Sequence, residues 1–383
     1  MNDPVLLSIS HRWQKRALLL GASAAVLSII GAIFQHAQFF QSYLFAWLFW
    51  SGLPFGALVI VMMQYLTGGK WGLALRNLST AAYRTIPFVA LFFLPILLGL
   101  HDIYGWSNRA NGEAAGYHHK AQYLNVPFFA ARSIFYFAVL GGIGILLRRW
   151  SLAPTDEKSV PPRVRALSAG GLIVYVLCLN FASTDWVMSL TPEWYSTIFV
   201  EIFAAGQFLS ALALMTALLC GCARHSSLGD SIPAKAFQDL GSMLLAFVIF
   251  WTYVSFSQFL IIWSGNLPKE ISWYLQRSRG GWQWLAVALV LTQFFLPFAL
   301  LLSRARKRDP RRLARICVCI VGANVISAFW LVAPTWHPSG FYVHWLDLTL
   351  FLALGGFWFA LFFHFLKQRP LVPPELLEVP QNG

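Results

Sequence analysis

Charge is scarce in this chain. Only 11% of its 383 residues are Asp, Glu, Lys or Arg, against about 25% in an ordinary soluble domain, which excludes a soluble enzyme. Long polar stretches are missing too, so no nucleotide-binding or cofactor-carrying module fits between the apolar runs. The five cysteines (Cys178, Cys220, Cys222, Cys317, Cys319) lie in or beside apolar runs, with no CxxC and no Cys/His ligand spacing. They encode neither an iron–sulfur cluster nor a structural zinc. Histidine does not supply haem ligation either, because a membrane cytochrome b needs His pairs on facing helices at matched depth. Here His36, His101, His118, His119, His337 and His344 sit at or beyond one set of helix ends, His11 and His225 lie on the other side, and His364 stands alone. HExxH is absent. The chain is expected to bind no metal or haem of its own.

What is abundant is apolar surface. Hydrophobic residues make up 58% of the chain and aromatics 16%, with a mean hydropathy of +0.61. One water-facing globule could not hide that much, so the solvent is lipid. A bilayer core about 30 Å thick needs roughly 20 apolar residues in a helix. Ten runs qualify: 17–36, 41–66, 84–100, 125–147, 165–187, 194–221, 237–263, 282–303, 313–334 and 345–367. The basic stretch from His11 to Arg16 precedes the first without a small-residue cleavage site, so that run reads as a span and not a removable signal. The net charge of +13 does not indicate nucleic acid. Placing the N-terminus inside puts 22 Lys and Arg on the cytoplasmic side and 6 on the other, a bias that predicts both termini in the cytoplasm.

The fold class expected is an all-α polytopic membrane protein. Residues 1–370 form a single membrane domain, and 371–383 form a Pro-rich cytoplasmic tail. A weak internal repeat relates helices 2–5 to helices 6–9, each set carrying polar motifs at its outer ends, and predicts two four-helix bundles flanked by helices 1 and 10.

Charges inside spans are costly and usually functional. Five residues gather in the predicted outer half: His101 and Asp102 closing helix 3, Arg132 in helix 4, Asp185 closing helix 5, and Glu201 about two turns into helix 6. Arg132 paired with Asp102 or Asp185 would pin helices 3, 4 and 5 together. Glu201 has no obvious cation and lies too deep to reach headgroups, so it is neutral, paired or wetted. An acid exchanging protons there suits a relay. The five are expected to form one connected proton path. Gln64, Asn180, Gln207, Ser257, Gln258, Gln293 and Asn324 read as interhelical hydrogen bonds or as water holders along it.

Specific strings narrow the reading. Tyr65-Leu66-Thr67-Gly68-Gly69-Lys70-Trp71-Gly72, Leu98-Gly99-Leu100-His101-Asp102, Lys120 with Tyr123-Leu124-Asn125 and Arg132, and Thr184-Asp185-Trp186-Val187-Met188-Ser189-Leu190 followed by Trp194-Tyr195-Ser196-Thr197 occur in order along the chain. Together they resemble the ActF subunit of bacterial alternative complex III, within the NrfD/PsrC-like membrane family. The resemblance implies a subunit of a quinol:cytochrome c or quinol:oxidase complex in the bacterial cytoplasmic membrane. Its partners would be an ActC-like sister subunit, an iron–sulfur subunit, haem c subunits and a terminal oxidase. In such complexes the sister subunit is the better-supported quinol site, and this chain's expected role is proton conduction and structure. Quinone contact, where this chain makes it, is expected at His101, Trp186 and Tyr195. A two-bundle secondary transporter and a purely structural anchor are the competing readings.

Overall fold

The computed structural model describes residues 4–108, 120–151, 160–224 and 232–368. The expected tail 371–383, and with it Arg109, His118, His119, Lys158 and His225, lie outside the described residues. Every regular element among those described is helical, and ten helices are long and apolar enough to cross a membrane. They are α1 (Pro4–Phe34), α2 (His36–Thr67), α3 (Lys70–Leu98), α4 (Val126–Ser151), α5 (Pro162–Trp186), α6 (Phe199–Ala223), α7 (Ala234–Gly265), α8 (Trp282–Leu301), α9 (Pro310–Trp336) and α10 (Trp345–Leu366). This is a multi-pass α-helical membrane protein.

Packing divides the spans as the repeat predicts. α2, α3, α4 and α5 close one four-helix ring and α6, α7, α8 and α9 close a second, while α1 and α10 pack on each other against α2. The rings meet where α2 crosses α6. That approach depends on glycine: a Cβ on Gly56 would lie 2.5 Å from the Gln207 carbonyl oxygen and 2.7 Å from the Ala211 Cβ. Small residues let membrane helices come this close, where packing takes over from a hydrophobic drive that lipid does not supply.

Two helix starts differ from expectation. α1 already begins at Pro4, so the basic stretch His11–Arg16 is helical. α6 begins only at Phe199, because the chain from Met188 to Ile198 turns in short 3₁₀ and bend segments.

α3 is broken rather than straight. Its first segment, Lys70–Tyr83, is a helix where a loop was expected, and it packs across the ends of α2, α6, α7 and α10. The chain turns at Arg84–Thr85 and again at Phe92–Phe93, ahead of Pro87 and Pro95, whose rings remove N–H groups from the ladder. The second turn, where Phe93 N–H bonds Ala90 O and Ile96 N–H bonds Phe93 O, leaves two carbonyls without ladder donors, and α2 supplies them: Trp47 Nε1 donates to Val89 O at 3.1 Å and Tyr43 Oη to Phe92 O at 2.8 Å. α2 thus braces the break it packs against.

One end of the molecule, called here the basic end, carries Arg84, Arg148, Arg149 and the run Arg304–Arg315. The opposite end carries the acidic and histidine residues singled out above.

Candidate functional site at the end opposite the basic face

Arg132 and Asp185 meet. Arg132 Nε donates to Asp185 Oδ2 and Nη2 to Oδ1, both at 2.8 Å, while Tyr136 Oη donates to Oδ2 at 2.7 Å. The Asp185 side chain is wholly buried and that of Arg132 is 10% exposed. Arg132 Nη1 also donates to the Tyr123 carbonyl at 3.0 Å, and the guanidinium lies 3.8 Å from the Tyr123 ring and 4.2 Å from the Phe128 ring. A bidentate fork with an added phenol is the strong form of this interaction. With both oxygens held, Asp185 has the geometry of a lock between α4 and α5.

The five residues expected as one path fall into four separate settings. Asp102 does not reach Arg132; its carboxylate pairs with His36 Nδ1 at 3.0 Å, both side chains partly exposed. His101 is exposed and its Nδ1 lies 3.2 Å from Ser107 Oγ. Glu201 is corrected most. Because α6 starts at Phe199, Glu201 sits in its first turn and not two turns deep, on an exposed face, and its carboxylate has no hydrogen bond or ion pair among the described residues. The depth expected of it came from counting the bent segment before Phe199 as helix.

Of the residues expected to touch quinone, Trp186 is fully buried. Its Nε1 donates to Ser133 Oγ at 3.2 Å and its ring stacks on Phe137 at 5.6 Å, which makes it a core residue of the first bundle. Tyr195 is 60% exposed and, like His101, open to an apolar ligand.

Two features at this end were not singled out from sequence. Arg277, at the end of a short helix (Pro268–Arg277) between α7 and α8, is 2% exposed and has no ion pair with a carboxylate among the described residues. It donates to the carbonyls of Leu331 (2.7 Å), Trp273 (3.1 Å) and Trp330 (3.3 Å), with its guanidinium 3.6 Å from the Trp273 ring. Pro334 explains one acceptor, for it has no N–H with which to claim Trp330 O. Burial pushes the Arg277 pKa down. Sequence counted Arg277 only as a charge in a loop, since an acceptor set of carbonyls leaves no mark in side-chain identities.

The second feature is a cleft of about 770 Å³ lined by the start of α2 and the segment after α9, including His36, Gln38, Gln41, His337 and Tyr342. Nearby Asp347 accepts from Ser42 Oγ at 2.5 Å and from the His344 backbone N–H at 2.8 Å, closing a capping box on α10. Burial pushes the His337 pKa down, with Asp347 opposing the shift.

A third set of polar side chains lies deeper along the helices. Gln293 is wholly buried on a π-helical turn of α8, Val290–Phe295, and neither its Oε1 nor its Nε2 has a partner among the described residues. Ser255 Oγ on α7 is also unpartnered among the described residues; so is Gln207 Nε2 on α6, but that side chain lies against Gly52 of α2 and its Oε1 accepts from Tyr175 Oη of α5 at 3.3 Å, so it faces the first bundle. Counted at 1.5 Å per residue, these three lie about 12 to 17 Å from the end opposite the basic face. No three His, Cys, Asp or Glu side chains converge as a metal set among the described residues. No family model matches this sequence, and no curated protein matches it.

Proposed function

We propose that this chain is a membrane subunit of a quinol:cytochrome c, or quinol:oxidase, electron-transfer complex and that it contributes a proton-conducting path. The strings that resemble ActF support membership of the complex, with the redox centres supplied by an ActC-like sister subunit, an iron–sulfur subunit and haem c subunits. The basic bias supports both termini on the cytoplasmic side, and the resemblance to ActF supports a bacterial cytoplasmic membrane.

One structural observation carries the path. The second bundle holds Gln293 on α8 with both amide atoms unpartnered and Ser255 on α7 with its hydroxyl unpartnered among the described residues. Leaving such a group bare costs about 1–3 kcal/mol, and water is the partner that removes the cost. Water held by Ser255 and Gln293 would carry protons through the second bundle, and the π-turn at Gln293 is the kind of local distortion that accompanies functional positions. Glu201, at the mouth of the same bundle, is the exit acid in this reading, whereas the Arg132–Asp185 pair holds the first bundle together.

Gln293→Leu keeps the volume and removes the water ligand. In vesicles holding the whole complex, electron transfer should persist and the protons moved per electron should fall. An unchanged ratio would remove the path through the second bundle. His101 and Tyr195, both open at the opposite end, support a quinone-contact surface there as a second reading.

A further inference from the structure

A groove of about 400 Å³ opens at the basic end between α3, α4 and α10, far from the site described above. Three of its lining residues are Arg84, Arg148 and Arg149, and no acid is among them. The rest of the lining is apolar or glycine, including Phe88, Ile145 and Phe365. Glycine thins α4 here. A Cβ on Gly141 would meet only Ile86 Cγ2 at 3.6 Å, and one on Gly144 would press the Tyr83 ring at 3.1 Å. The turn at Arg84–Thr85 sets Arg84 at the mouth, where its Nη2 donates to Gln368 Oε1 at 2.7 Å and its guanidinium lies 4.2 Å from the Phe365 ring.

We propose that this groove binds one anionic phospholipid, with an acyl chain laid over Gly141 and Gly144 and the headgroup phosphate among Arg84, Arg148 and Arg149. Arginines at the end of a span are ordinary topology signals, but an ordinary topology signal has no apolar channel beneath it. The combination fits an amphiphile whose charge and tail are joined at the membrane boundary. Guanidinium groups offer paired N–H donors that match phosphate oxygens, and basic pockets between spans are the recurring form of lipid headgroup sites. An uncharged isoprenoid would use the channel and ignore the arginines; a soluble anion would do the reverse.

The test uses the full chain purified in mild detergent, titrated with phosphatidylglycerol, phosphatidylcholine and glycerol 3-phosphate, and read by native mass spectrometry. The wild type should hold one phosphatidylglycerol in preference to phosphatidylcholine, a contrast that needs no variant. Joint Arg148→Gln and Arg149→Gln substitution should weaken phosphatidylglycerol on the order of 30-fold, from the loss of two basic contacts at an anionic headgroup. Gly141→Phe should expel the lipid with every arginine in place. Gly142→Phe, whose Cβ meets nothing within 4 Å, should not. Helicity and elution volume report folding of each variant, and the charge and channel variants read separate halves of the site. Equal binding of the two lipids would overturn the proposal. So would displacement of the lipid by glycerol 3-phosphate at comparable concentration, or retention of it by Gly141→Phe.

Discussion

Removing Arg132 would leave the buried Asp185 carboxylate with the Tyr136 hydroxyl as its one side-chain donor. Breaking a buried pair from one side costs about 3–5 kcal/mol, so Arg132→Ala should sharply lower the unfolding temperature in detergent. Arg132→Lys should recover only part of the loss, because an ammonium cannot span both carboxylate oxygens. Recovery to wild-type stability by lysine would show that charge alone matters there. His337 gives a pH-dependent expectation. Its ordinary value is 6.5 and burial lowers it, so the folded protein binds this proton less readily than the unfolded chain does. Its contribution is intact above 6.5 and is lost as pH falls through that value toward the lower folded one. His337→Gln should flatten this part of the profile of unfolding temperature against pH, and an unaltered profile would assign the dependence to other groups. Sequence made the pairing of Arg132 with an aspartate legible, because a cation inside a span demands an anion. It left the choice between Asp102 and Asp185 open, since depth alone does not distinguish residues that close adjacent helices.

Helix ends and helix breaks were the least legible elements. The residues from Trp194 to Ile198 are apolar enough to continue a span, yet they fold as turns, and that shift moved Glu201 from the interior to an exposed first turn. Composition carries no record of where a helix begins when no strong cap marks it. The breaks of α3 sit beside prolines, whereas the carbonyls that the second turn leaves free find Trp47 and Tyr43 only in three dimensions. At the α2–α6 crossing the expected cost of bulk is direct. Gly56→Leu would drive its side chain into the Gln207 backbone, and overpacking of this kind costs about 1–3 kcal/mol or more. The two bundles should separate or loosen, which a cysteine crosslink engineered between α2 and α6 would register as reduced yield. Unimpaired crosslinking would mean the helices are held chiefly elsewhere.

At the scale of the whole molecule, ten spans and two four-helix rings follow from hydropathy and from the matched polar helix ends. Lipid imposes that regularity, because every backbone group inside it must be paired within its own helix. Function is less local. The chain sets ionisable groups at one end, an unpartnered buried amide in the second bundle and a basic groove at the other end, and the proposed role draws on all three. The most direct measurement is purification of the tagged chain from its native membrane in mild detergent, followed by spectroscopy and identification of what comes with it. The account expects haem absorption from copurified cytochrome c subunits, an iron–sulfur subunit in the same particle, and no haem band once those chains are stripped away. A colourless particle containing only copies of this chain would contradict it and favour a transporter.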